Sequence, residues 1–144
     1  MNTTALMQET VTALAQRHGL DLREKGAYLR LDMPHFDRLV IEVLHPTLVS
    51  VAHVYEPRPG VHLADPGIVF FTGDGPWMPI EVMQRIGGYR IYAVLSPELD
   101  AIVSVLPKEQ ADLASFAEMW AENIRLQGWL EQATRTELKS VLPF

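Results

Sequence analysis

Between Ala27 and Leu95 apolar residues recur at every second position, and from Pro107 onward they recur at every third or fourth. Side chains alternate across a strand but return to one face of a helix after three or four residues. The middle of this chain therefore lays down strands with one apolar face, and the end supplies a helix whose stripe can close over it. Ala27, Leu29 and Leu31 alternate with Tyr28, Arg30 and Asp32. Residues 38–44 and 48–55 are rich in β-branched side chains, and His45-Pro46-Thr47 between them predicts an antiparallel hairpin. Pro57, Pro59 and Gly60 are expected to break the chain, since proline removes a ladder donor and fixes φ. Extended structure resumes over residues 61–71, with Asp65-Pro66-Gly67 as a kink. A loop follows at 72–76. Alternation returns over 77–82, Gly87-Gly88 marks a reversal, residues 89–95 form one more strand, and residues 101–106 an edge strand.

Leu6, Thr10, Val11, Leu14 and His18 repeat at helical spacing after Thr3 or Thr4 as N-cap, and Gly19 supplies a left-handed stop. The stronger helix begins at Pro107 and stops at Gly128. Leu113, Phe116, Ala117, Trp120 and Ile124 share its apolar face, and Glu118, Glu122 and Arg125 fall opposite. Asn123, at the edge of that stripe, is expected to cap or hydrogen-bond a strand end. The segment from Leu130 through Leu138 to Leu142 repeats the helical spacing more weakly. The fold class is thus α+β: an N-terminal helix, an antiparallel meander of five to six strands, and one or two C-terminal helices packed on one sheet face.

A chain of 144 residues with 48% apolar side chains can bury one core, so residues 1–144 are expected to form a single domain. The chain has no cysteine, which removes disulfides, thiolate metal sites and thiol nucleophiles, and a cytoplasmic address is expected. No signal-type segment and no spanning apolar run is present, so no membrane partner is expected. A net charge of −6 opposes phosphate backbones, and the lysines and arginines form no cluster, so nucleic acid is a disfavoured partner.

The strings Val49-Ser50-Val51-Ala52-His53-Val54-Tyr55-Glu56, Asp65-Pro66, Trp77-Met78-Pro79 and Leu113-Ala114-Ser115-Phe116-Ala117, continuing through Trp120, Asn123 and Gln127-Gly128, carry a family resemblance. Over about residues 39–128 the chain resembles a family of small uncharacterised proteins, a domain of unknown function found on phages, plasmids and other mobile elements. The resemblance implies a compact α+β fold and a mobile-element origin. It implies no activity, so no catalytic residue is assigned.

The densest group of chemically capable side chains is His53, Tyr55 and Glu56, with His62 and Asp65 beyond the following loop. On a strand His53 and Tyr55 share a face and Glu56 points the other way. If the loop reverses tightly, His62 or Asp65 can return beside His53 and provide an imidazole and a carboxylate for general-base or metal chemistry. The ordinary reading of a strand histidine is a partly buried, hydrogen-bonded structural residue. The five histidines have no compact ligand spacing, Gly73-Asp74-Gly75 and Gly87-Gly88 lack a P-loop context, and no serine sits in a nucleophile elbow, so neither metal nor cofactor is expected. Trp77, Tyr89, Arg90 and Tyr92 could stack on a base or a planar ligand if they shared a face, although large rings on half-buried strands usually face the core.

Three functions are compatible with these residues. The first is a non-enzymatic accessory protein that binds another macromolecule, protein before any other, through the uncovered sheet face and the 57–65 loop. The second is a small-molecule or metal-dependent enzyme centred on His53 and Asp65. The third is a single-stranded nucleic-acid binder using Trp77, Tyr89, Arg90 and Tyr92. The apolar C-terminal tail (Leu138, Val141, Leu142, Phe144) is expected to dock on the body or to join a homodimer.

Overall fold

The computed structural model describes residues 2–139. Helix α1 (Ala5–His18) leads into the strands β1 (Tyr28–Asp32), β2 (Arg38–His45), β3 (Leu48–Arg58), β4 (Val61–Phe71), β5 (Met78–Gln84) and β6 (Gly88–Ile91). Short strands β7 (Ala93–Leu95) and β8 (Ile102–Val105) follow, then helices α2 (Pro107–Gln127) and α3 (Trp129–Gln132), and last β9 (Thr134–Lys139). The main sheet has seven strands in the order β6-β5-β4-β3-β2-β1-β9, and β7 and β8 form a separate two-stranded ribbon. The fold is α+β as expected, but with more strands than five to six.

The extra strands have physical causes. Residues 89–95 do not form one strand: the chain bends at Tyr92, whose N–H reaches Ile80 O (2.8 Å) and whose carbonyl accepts from Leu106 N (2.8 Å), so it passes from one sheet to the other. After α3 the chain is a strand and not the expected weak helix, its backbone groups pairing with the edge of β1. Thr134 to Lys139 pair with it, from Asp32↔Thr134 to Tyr28↔Lys139. Leu138 packs against the core there. Val141, Leu142 and Phe144, the rest of the expected docking tail, lie outside the described residues. Pro57 does not break the chain, for β3 continues to Arg58, where the ladder to β4 slips in register between Tyr55 and Arg58.

Alternation decides the two faces. Leu29, Leu31, Leu39, Ile41, Val43, Val49, Val51, Ile68 and Phe70 are all fully buried on the face covered by α1 and α2, together with Met7, Val11, Leu14, Ala117 and Ile124. The opposite face is covered at one end only, where Ala93, Leu95, Ile102 and Val105 of the small ribbon pack on Phe71, Met78 and Ile80.

Polar groups lock the helices in place. Thr4 occupies the N-cap position of α1, but its hydroxyl donates to Trp77 O (3.1 Å) and does not cap. The orphan N–H groups of Leu6 and Met7 donate instead to the carboxylate of Glu118 on α2, at 3.2 and 3.1 Å. Glu118 therefore does not join the solvated side of α2, contrary to its helical position. Gln110, only 1% exposed, donates from Nε2 to Asn2 O (2.8 Å) and Pro79 O (3.3 Å) and accepts from Asn2 N (3.0 Å). Asn123 is exposed, and among the described residues it hydrogen-bonds no strand end. Gly128 ends α2 at φ 91°, where an added Cβ would stand 3.2 Å from the Gln132 side chain. Gly128→Ala is expected to destabilise by about 1–2 kcal/mol, seen as a lower urea midpoint with an unchanged m-value.

Candidate functional site

Beyond Val54, which pairs with Arg38 at the start of β2, and before Gly67, which pairs with Met83 near the end of β5, strands β3 and β4 have only each other. They run on as a two-stranded arm whose ladder includes Tyr55↔Leu63 and Arg58↔Val61. The Glu56 carboxylate accepts from Gly60 N (2.7 Å) and closes its tip. At its base the Tyr55 ring carries the Arg85 guanidinium 5.4 Å above its centroid.

The arm divides the expected cluster. His62 and Leu63 of the arm face Val40, Val54, Ala64 and Tyr28 across a concavity of about 340 Å³, with Arg30 and Arg38 at its margin. This hollow lies on the half of the sheet that the small ribbon leaves open. Arg38 is tied to Asp32 (3.2 Å) and Arg30 to Glu137 (3.5 Å), while Lys139 lies over the Tyr28 ring at 4.9 Å. The margin is polar but charge-compensated, and the floor is apolar. Further along the same face, Met83, Tyr89 and Ile91 are 39%, 53% and 50% exposed. The Tyr89 hydroxyl donates to the Glu81 carboxylate, which pushes its pKa up to about 12.

His53 sits on the other face. Its ring lies 5.5 Å from both Trp120 and Trp129, and Nδ1 is 3.1 Å from Asp37 O. A carbonyl can only accept, so Nδ1 carries the proton and the neutral imidazole has Nε2 as its acceptor. Burial holds the His53 pKa below its ordinary value, against the opposing pull of the backbone carbonyls of Asp37 and Arg38 and of the Asp37 carboxylate. His53 and Asp65 do line one shallow cleft of about 280 Å³ with Asp37, His35, Phe36 and Gln127. No hydrogen bond joins them, and among the described residues no group of three or more His, Asp or Glu side chains could hold a metal ion.

The remaining candidates separate. Trp77 is 5% exposed, packs on Phe70 at 5.6 Å and receives its backbone order from Gln8, whose Oε1 accepts Trp77 N (3.1 Å). Tyr92 is half-buried against the core. Arg90 is exposed on the edge strand β6, with Nε donating to Gly87 O (3.1 Å). The rings and cation proposed to stack on a base thus do not form one surface. The hollow occupies the uncovered sheet face next to the 57–65 segment, but the side chains that line it were not among the expected site residues apart from His62. Their signal was present: Val40 and Val54 are apolar at positions whose neighbours already supply the buried face, so both faces of β2 and β3 carry β-branched residues.

Because His53 has a depressed pKa in the folded state, the unfolded chain binds its proton first as pH falls. Stability is then full above the unfolded value of about 6.5. It declines as pH drops from there to the folded value and levels off below it. His18, whose pKa burial and the neighbouring Arg17 and Arg135 also depress, acts in the same direction. Thermal unfolding between neutral and mildly acidic pH is expected to show a falling Tm, with a smaller slope in His53→Gln; an equal slope would place the effect elsewhere.

An α1–sheet–α2 domain with a projecting ribbon and a half-open sheet face defines a class by architecture and assigns no chemistry. The chain matches the model of a family described as a domain of unknown function, DUF6908, over residues 9–130, and it belongs to that family. No curated protein and no solved structure matches it.

Proposed function

We propose that this is a non-enzymatic accessory protein, of the kind mobile elements carry and acting in the cytoplasm, that binds another protein through the open half of its sheet and the arm at 57–65. The observation that supports it is the hollow between His62 and Leu63 on the arm and Tyr28, Val40 and Val54 on the sheet. An apolar floor inside a compensated polar margin is the anatomy of a protein contact, where the desolvated centre supplies affinity and the rim supplies register. Leu63, 45% exposed on a ribbon supported by no third strand, is placed as an anchor. Val40→Asp and Leu63→Asp, each folded by circular dichroism, should both lose a discrete partner that the unaltered chain retains from its host lysate. Retention by both variants would refute this surface.

A second reading, an enzyme centred on His53 and Asp65, is favoured by their shared cleft. Titration with divalent zinc, manganese or magnesium is expected to leave Tm unchanged; a rise that His53→Gln and Asp65→Asn abolish would support the enzyme reading instead. A single-stranded nucleic-acid binder is the third reading, and an oligonucleotide titration at low salt is expected to show no binding.

A further inference from the structure

Strand β9 ends at Lys139, which pairs with Tyr28, the first residue of β1. The ladder stops there. Gly26 turns the chain at φ 88°, and Ala27 donates to Glu24 O (3.0 Å) and accepts from Val43 N (2.9 Å), so neither backbone is laid out for a further pair. A chain continuing past Lys139 must therefore leave the plane of the sheet, and packing decides on which side. On the helix side the space is filled: Leu138 packs against the core, a Cβ added to Gly19 would touch its Cδ2 at 4.0 Å, and Leu20 and Ala27 are buried. On the other side the Lys139 ammonium lies over the Tyr28 ring at 4.9 Å, and Tyr28 is already a wall of the hollow under the arm.

The residues that follow Lys139 are Ser140-Val141-Leu142-Pro143-Phe144, an apolar run without a charged side chain. The hollow offers a matching surface, with a floor of Val40 and Val54 and with Leu63 45% exposed above it. Its ions are paired among themselves, Arg38 with Asp32 and Arg30 with Glu137, so the occupant it suits is uncharged. Reach permits the contact. Val40 stands opposite Arg30 on β2, two strands across from β9 and two residues along from the level of Lys139. At ordinary strand spacing that is about 12 Å, against about 17 Å for five extended residues.

We infer that residues 140–144 fold back over the open face and seat Leu142 and Phe144 in the hollow, so that the chain covers its own contact surface and a partner has to displace them. The tether holds this segment beside the hollow at high effective concentration, which selects it over any untethered apolar peptide. Pro143 restricts the backbone of the segment, so less freedom is lost on ordering it. A cover closed about nine-tenths of the time lowers a partner's apparent affinity about tenfold. The displacement rests on the protein contact proposed above, whereas the docking of the segment does not.

The test is methyl and aromatic NMR of the full chain beside two full-length variants, Leu142→Asp with Phe144→Asp, and Val40→Asp. Nuclear Overhauser contacts are expected from the Phe144 ring to the methyl groups of Val40, Val54 or Leu63, and both variants should lose them. The Val54 and Leu63 methyl resonances should move in the Leu142→Asp, Phe144→Asp chain, while those of Leu29 and Ile124 in the core stay in place. The same chain should bind the purified partner about tenfold more tightly than the unaltered one. The docking is overturned by methyl resonances that do not move, or by Phe144 contacts to residues outside the hollow. It is overturned as well by contacts that isotope-mixed samples show to run between two copies, since the segment would then join a homodimer. Equal affinity of the partner for both chains overturns the displacement. The spectra decide the docking with no partner present, so its failure and the failure of the protein contact are read separately.

Discussion

Trp129→Ala is expected to lower stability by about 3–5 kcal/mol, the range for deleting a large buried aromatic. Such a loss is a large share of the about 5–15 kcal/mol that holds a domain together. Trp129 is fully buried, its ring lies 5.5 Å from His53 and 6.1 Å from Phe36, and its indole N–H donates to Gln127 Oε1 at 3.0 Å. Alanine would leave a void that α3, a single turn, is too short to close, and would also orphan an acceptor at the end of α2. Trp129→Phe keeps most of the apolar volume and should cost much less. Urea unfolding followed at equilibrium checks both. If alanine and phenylalanine prove equally mild, the packing of Trp129 on His53 and Phe36 does not hold α3 in place. A secondary consequence concerns His53: without Trp129 the imidazole is better solvated, so its pKa should return toward the ordinary value by proton-detected titration.

Glu118→Ala is expected to cost about 1–3 kcal/mol, the penalty for leaving buried donors unmade. Helix α1 has no side-chain cap of its own, and its Leu6 and Met7 amides depend on this carboxylate from another helix. The charge also faces the positive end of the α1 macrodipole, which adds to the effect. Hydrogen exchange should accelerate first at the amides of Leu6 and Met7. Glu118→Gln retains one acceptor oxygen and should fall between the two. An alanine variant with unchanged exchange at these amides would remove the capping role.

These two residues also mark where sequence reading reached and where it stopped. Trp120 and Ile124 declared their burial by spacing alone, because a stripe that repeats every three or four residues has only one side on which to bury. Glu118 stands on the same helix at a position that reads as solvated, and it is assigned to the α1 terminus only by how two helices lie together. The His53 position was legible as a strand site with an ordinary structural role as its first reading. Its pair of tryptophan neighbours was not, since Trp120 and Trp129 come from a distant part of the chain. The expected group of His53, Tyr55, Glu56, His62 and Asp65 assumed that a loop reversal gathers them. The chain does reverse tightly, at Pro59-Gly60 with Arg58 paired to Val61, and Asp65 does come to line one cleft with His53, but Tyr55, Glu56 and His62 line a separate cleft.

The sequence by itself determined the class of fold, the hairpin at residues 45–47, the long helix with its stops and the apolar face it covers, for all of these follow from periodicity and from the local demands of proline and glycine. The tertiary structure alone decided that residues 134–139 become a seventh strand and that half of one face remains uncovered by the described elements. Each of those depends on pairing between residues far apart in the chain, where backbone groups seek whichever partner the assembled sheet leaves available, and no local pattern records that choice.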